Sequence, residues 1–210
     1  MVRDSIFHKV RTALGRSAGQ PPAPVPPVRL RIPDVSLGAR IAAFSAALEA
    51  LAGKAYCAHS KEDAVAHVAG LIAGKTAIAS NAPLLSECGV TALPGVRTGV
   101  YDRAELRELC ASCDIGITCA EYALADTGSL VMFSSAEEAR MISLLPPAHI
   151  ALLPRERILT GLDELLTVQA LPADRSSSMV LITGPSRTAD IEQILVRGVH
   201  GPGQIHVIIV

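Results

Sequence analysis

Tryptophan is absent from the 210 residues, and phenylalanine and tyrosine number three each. A chain so poor in aromatic faces lacks the platforms on which single-stranded nucleic acids stack, which argues against nucleic acid as a substrate. Charge of one sign is missing too: 19 lysines and arginines face 20 aspartates and glutamates, a formal net charge of −1. No phosphate-backbone footprint and no acidic tail is suggested, so any partner must be recognised locally. No apolar run in the sequence approaches the roughly 18 residues of a membrane-crossing helix. The opening MVRDSIFHKVRTALGR interleaves charge with apolar positions and is not a secretory core, so a cytoplasmic location is expected. Five cysteines are an odd number in a chain too large to need staples, which argues against a disulfide framework.

What is present is aliphatic: half of the residues are hydrophobic, enough for one sizeable core but hardly two. Residues 1–35 read as an amino-terminal amphipathic helix and a Pro-rich linker, and residues 36–210 as a single domain. Ile6, Phe7, Val10 and Leu14 fall on one helical face with Arg3, Lys9, Arg11 and Arg16 outward. GQPPAPVPP, residues 19–27, then imposes an extended connection. From Ser36 onward helices and strands alternate. LGARIAAFSAALEAL, KEDAVAHVAGLIAG, DRAELRELCAS, AEEARMISLL and GLDELLTV are predicted helical, whereas KAYCA, KTAIAS, IGITCA, LADTGSLVMFS and HIALLP are strand-like. SMVLIT and QIHVIIV are continuously apolar, the pattern of strands covered on both faces. The fold class that follows is α/β, with a mostly parallel sheet flanked by helices. In such sheets ligands gather at the carboxyl ends of strands, where Ser80 and Asn81 follow TAIA and residues 183–188 follow MVLI.

The densest polar cluster is ITGPSRTADIEQILVRGVHGPG, residues 182–203. Gly184 and Pro185 end a strand, and Ser186 or Thr188 is placed to cap a helix whose buried face is Ile191, Ile194 and Leu195. Arg197 and Gly198 end that helix. Capping accounts for all of this except Arg187, which enters a strand-to-helix loop rich in free amides and hydroxyls, the composition of an anion-binding helix start. His200 lies in a Gly-Pro loop, where histidines are more often solvated than functional. In ADTGS, residues 125–129, the DTG triplet matches pepsin-like proteases, but that chemistry needs two such aspartates and an all-β fold. A tight turn fits better, with Gly128 allowing close approach and Thr127 and Ser129 presenting hydroxyls to a cleft. Thr127, Gly128, Ser129, Gly184, Pro185, Ser186, Arg187, Thr188 and His200 are therefore the candidate ligand-binding residues. Glu121 and Asp126 are candidate catalytic carboxylates expected on the same cleft.

Other motifs fall away. AGKTA, residues 73–77, has the wrong spacing to Gly70 for a phosphate loop and precedes a strand. Cys110 and Cys113, with Cys119 nearby, lack a second pair or a histidine and read as buried thiols, so no metal site is expected. His59 and His67 read as surface residues, and Arg140 as an ion-pair partner of Glu137.

ADTGSLVM, SLLPPAHIALLP and above all GPSRTADIE followed by GVHGP resemble the LUD-domain family, and within it the lactate utilization protein C group. The matching positions are Asp126, Thr127, Gly128 and Ser129, then residues 183–192, then Gly198, His200, Gly201 and Pro202. Family members often carry glutamate and threonine where this chain has Asp126 and Ser129. The resemblance implies the fold of sugar-phosphate isomerases and coenzyme A transferases (NagB/RpiA/CoA transferase-like). It also implies a part in oxidising L-lactate to pyruvate beside two partners that carry iron-sulfur clusters. With no dinucleotide fingerprint and no cluster spacing in this chain, no cofactor is expected here and electron transfer is expected of those partners. The expected role is then a non-redox component binding a small carboxylate or phosphate-bearing ligand between the DTGS and GPSRT loops. The alternatives are an independent enzyme acting on a coenzyme A thioester or phosphosugar through Glu121 or Asp126, and a scaffold that recruits the iron-sulfur partners through its amino-terminal arm.

Overall fold

Strands that are apolar throughout need cover on both faces, and HIALLP and QIHVIIV obtain it inside an all-parallel sheet. The computed structural model describes residues 2–17, 19–21, 32–189 and 195–210. Two units separate, Met1–Leu30 and Arg31–Val210. The first contains helix α1 (Val2–Ala13), whose Ile6, Phe7, Val10 and Leu14 are exposed; most of the Pro-rich connection lies outside the described residues.

The second unit runs α2 (Leu37–Ala50), β1 (Lys54–Cys57), α3 (Lys61–Ile72), β2 (Ala77–Ala79), α4 (Pro83–Glu87), β3 (Val96–Arg97), α5 (Arg103–Ser112) and β4 (Ile115–Cys119). It continues with β5 (Tyr122–Leu124), β6 (Ser129–Phe133), α6 (Arg140–Leu144), β7 (Ala148–Leu153), β8 (Ile158–Leu159), α7 (Leu162–Val168) and α8 (Pro172–Arg175). It closes with β9 (Met179–Ile182), β10 (Arg187–Ala189), β11 (Leu195–Arg197) and β12 (Gln204–Ile209). Among the described residues, six strands in the order β1-β12-β7-β4-β2-β3 form one sheet, every neighbouring pair parallel. On one face α3 and α4 bring Ala64, Val68, Ile72 and Leu85 onto Ile115, Ile117, Ile150 and Leu152. On the other, Phe44 and Leu48 of α2 meet Ala151, Leu153, Val207 and Ile209, joined by Leu130 and Met132 of a second sheet. That sheet, β8-β5-β6-β9, is antiparallel at β5/β6 and β6/β9.

Several elements differ from the sequence reading: LADTGSLVMFS is split by its turn into antiparallel β5 and β6, and the helix expected over AEEARMISLL begins only at Arg140. SMVLIT forms β9 not in the parallel sheet but antiparallel to β6, and its Leu181 is exposed. The helix expected after Ser186 is instead a hairpin that pairs Arg187 with Arg197 and Ala189 with Leu195. Residues 190–194, with Asp190, Ile191 and Glu192, lie outside the described residues. The ladder extends beyond the hairpin, since Gly198 N donates to Ser186 O at 3.0 Å and Ser186 N donates to Pro202 O at 2.9 Å.

Close backbone approach fixes how these layers stack. At Gly116 of β4 an added Cβ would sit 1.8 Å from Ile142 O of α6. At Gly128 it would lie 2.5 Å from Leu48 N of α2, and φ there is +66°. Gly128→Ala should therefore cost about 3 kcal/mol or more in urea unfolding, from left-handed strain plus overlap with main chain. Gly70→Ala, on α3 with nothing within 4 Å of the new carbon, should stabilise by about 0.5–1 kcal/mol.

Candidate functional site

The DTGS turn and the GPSRT segment meet. Ser129 Oγ lies 2.8 Å from Thr127 Oγ1 and 2.7 Å from Thr183 Oγ1, a chain of three hydroxyls spanning β6 and β9. Gly128 and Gly184 both press on the carboxyl end of α2: at Gly184, where φ is +79°, an added carbon would lie 2.8 Å from Leu51 Cβ. Helix α2 ends in a Schellman motif, Gly53 N donating to Leu48 O at 3.0 Å and Ala52 N to Glu49 O at 2.8 Å. Arg187 Nη2 donates to the carbonyl of the C-cap residue, Leu51 O, and so places a cation at the negative end of α2. Pro185 is buried, Ser186 is half-buried with both backbone groups bonded, and Thr127, Arg187 and His200 are exposed. The side chain of Thr188 lies outside the described residues. The helix start expected to present free amides beside Arg187 is replaced by strand β10.

The two candidate carboxylates do not share a cleft. They flank β5 at opposite ends, because a three-residue strand separates them. Asp126 faces Gly161, where an added carbon would lie 2.6 Å from its Oδ2, in a hollow lined by Pro33 and Thr160. Glu121 accepts from Arg175 Nη2 at 2.8 Å and lies 3.6 Å from Arg157 Nη1. Arg175 is also held over the Phe133 ring, 4.6 Å from its centroid.

Glu121 belongs to a different feature. From β2 the chain proceeds outward to β3, then returns to β4 and proceeds the other way, to β7. Neighbouring strands whose connections leave in opposite directions open a crevice at their carboxyl ends. A crevice of about 430 Å3 lies there, lined by Ala82, Pro83 and Leu84 after β2, Cys119 and Glu121 after β4, and Phe133, Ser134, Glu137, Glu138 and Arg175.

Glu138 is the residue that the sequence reading missed. Its Oε2 accepts from the Ser80 hydroxyl at 2.9 Å and from Cys119 N at 3.1 Å, bridging the ends of β2 and β4. Burial pushes its carboxyl up to about 7 from an ordinary 4.5, against the pull of those two donors. Its Oε1, like Ser134 Oγ, is buried with no hydrogen-bond partner among the described residues. Ser135 sets this geometry: its Oγ accepts from the N–H groups of Glu137 and Glu138 at 3.1 and 3.0 Å, holding both out of α6. Asn81 N then ties Glu137 O to the end of β2 at 2.8 Å. Ser135 also donates to Glu137 at 2.9 Å, and Arg140, expected to pair with Glu137, donates to Ser178 Oγ at 3.2 Å. The signal available in the sequence was the Ser-Ser pair before Glu137 and Glu138, a turn composition at the start of what looked like a helix.

Burial holds two of the thiols in the protonated form. Burial raises Cys110 to about 11; burial together with the nearby Glu138 and Glu121 carboxylates raises Cys119 to about 12. Cys110 and Cys113 are buried at the end of α5, as read from the sequence. Among the described residues no group of three or more metal-ligating side chains occurs. His59 is exposed beside Asp63, whereas His67 is half-buried and stacks on Tyr56 at 3.8 Å.

A family model described as the LUD domain matches residues 41–210. The chain belongs to the LUD domain family. It is similar to lactate utilization protein C of Halalkalibacterium halodurans, 36% identical over 149 residues, which cover 67% of this chain and 65% of that protein. It is 41% identical over 93 residues to lactate utilization protein C of Bacillus subtilis, covering 42% and 39%. The uncharacterized protein YkgG of Escherichia coli is 45% identical over 92 residues, covering 42% and 40%. The chain thus spans less than two thirds of the length of these curated relatives. A DUF162 family protein from Deinococcus radiodurans has the same fold, with TM-score 0.64 over 83% of this chain and 98% of that one, at 16% identity. In this LUD domain no helix among the described residues is long and apolar enough to cross a membrane.

Two outcomes follow from this geometry. Glu138 binds its proton more tightly folded than unfolded, so its contribution to stability is full below about 4.5 and is lost as pH rises through about 7. His149 and His206, lowered by burial to about 4 from 6.5, act oppositely and lose theirs as pH falls through that range. Glu138→Gln should remove only the first dependence, so its urea midpoint should gain on the native chain between about pH 5 and pH 8. Arg187→Ala uncaps α2 and should lower unfolding stability by about 1 kcal/mol.

Proposed function

We propose that this LUD domain serves lactate utilisation as a non-redox component, taking a small carboxylate in the crevice between β2 and β4, while iron-sulfur partner proteins carry the electrons. The crevice at the strand split carries the reading, since this is where open parallel sheets receive their ligands. The names of the relatives supply the process.

A second reading places the anion at the rim of the DTGS and GPSRT loops, and it is favoured by the exposure of Thr127, Arg187 and His200 around one junction. Calorimetric titration with L-lactate and pyruvate separates the two. On the crevice reading Arg187→Ala leaves affinity within about twofold, and a loss of tenfold or more moves the ligand to the rim. In the source organism, removal of the gene should abolish growth on L-lactate as sole carbon source and spare growth on pyruvate. Unimpaired growth on L-lactate would sink the assignment.

A further inference from the structure

Two residues on the wall of the crevice each bury a polar atom that has no partner among the described residues. These atoms are Glu138 Oε1 and Ser134 Oγ, and both side chains line the crevice and the small hollow behind it. A buried polar group left unpaired costs free energy comparable to a lost hydrogen bond, so two such atoms on residues that line one crevice point to a guest that enters between those side chains and pairs with them.

The arrangement of donors around Glu138 also tells what kind of guest. Both donors, the Ser80 hydroxyl and Cys119 N–H, point at Oε2. Oε1 receives none, so a proton taken up by this carboxyl resides on Oε1 and makes it a hydrogen-bond donor. A donor needs an acceptor, and a carboxylate oxygen is a strong one. We propose that Glu138 and Ser134 form the inner end of a carboxylate site, in which the Glu138 carboxyl holds its proton on Oε1 and donates it to a small 2-hydroxy or 2-oxo acid, Ser134 Oγ donating to the same group.

The surrounding charges permit this. Glu121 is matched by Arg175 and Arg157. Cys119 is a neutral thiol, held so by burial, and Glu137 is exposed at the mouth with its carboxylate taken by the Ser135 hydroxyl. Arg140, beside the hollow, donates to Ser178. With Glu138 protonated the inner end carries no net charge; ionised, it would repel the incoming carboxylate. The elevated carboxyl of Glu138, about 7, makes the protonated form available at neutral pH. Binding an anion beside it raises it further, so one proton is taken up from solution as the ligand enters. No bond to carbon forms or breaks in this step.

The inference rests on the crevice reading above, and the experiment keeps the two apart. The full chain is titrated with L-lactate and with pyruvate by calorimetry from about pH 6 to 8.5, in two buffers of different ionisation heat. The expected result is uptake of close to one proton per ligand near pH 8, with affinity falling about tenfold per pH unit above the midpoint. Glu138→Gln, whose amide still donates, should bind with an affinity that no longer varies with pH, and Ser134→Ala should bind several-fold more weakly. Leu84→Trp, which fills the crevice wall, should abolish binding. If Leu84→Trp blocks binding but the native chain takes up no proton, or Glu138→Gln keeps the native pH profile, the crevice stands and the role of Glu138 falls. If neither acid binds at any pH, or Leu84→Trp binds as well as the native chain, both fall.

Discussion

A single carboxyl spans the carboxyl ends of two paired strands within the parallel sheet. Strands β2 and β4 are neighbours, yet their connections depart to opposite sides, so nothing in the path of the chain closes the gap above them. The Glu138 Oε2 does so, accepting from Ser80 on one side and Cys119 on the other. The loop after β6 reaches this point only because Ser135 turns it back and Asn81 anchors it. A buried carboxyl is a costly device for such a bridge, since burial alone opposes its ionisation. An amide would accept the same two bonds without a titrating proton. The choice of an acid at this place is therefore better explained by what its other oxygen faces.

The opposite side of the sheet is organised differently. There the DTGS turn, the GPSRT segment and the end of α2 interlock through main chain, because Gly128 and Gly184 let loops approach to distances that a Cβ forbids. The hydroxyls of Thr127, Ser129 and Thr183 satisfy one another, and Arg187 completes the end of α2. These contacts give the residues that carry the family resemblance a physical duty in holding the second sheet to α2. A duty of that kind explains a dense motif of glycine, hydroxyl and arginine without reference to a ligand, though it leaves the exposed groups around it available.

How far the sequence could be read follows from the same physics. Helices α2, α3 and α5 and strands β4, β7 and β12 are legible because each buries a continuous face, and burial imposes a period on the sequence. Strand β9 is equally apolar in sequence but lies in the second sheet with Leu181 exposed, and composition alone does not distinguish those positions. The β10/β11 pairing joins residues no more than ten positions apart, and what a short window leaves out is the anchor at its base, where Ser186 N donates to Pro202 O. Glu121 and Asp126 looked adjacent because five positions are close in a helix or loop, but a strand between them sends them apart. Glu138 was hidden for the converse reason: its partners, Ser80 and Cys119, are brought to it by topology.

Besides the thiols, burial moves one carboxyl and two histidines toward neutrality, and their surroundings separate structure from chemistry. His149 is wholly buried, its Nε2 2.7 Å from Thr118 Oγ1 and its Nδ1 without a partner among the described residues, near the start of β7. His206, lowered by burial and by Lys54, His67 and Lys75, lines a hollow beside the edge strand β1 at the end where the parallel strands begin. In a parallel sheet, that end is where packing is made, and ligands collect at the other. Glu138 alone of the three stands at the carboxyl ends, on a crevice of sufficient size for a small acid. A shifted acidity by itself would not distinguish these groups; the strand direction beneath each one does.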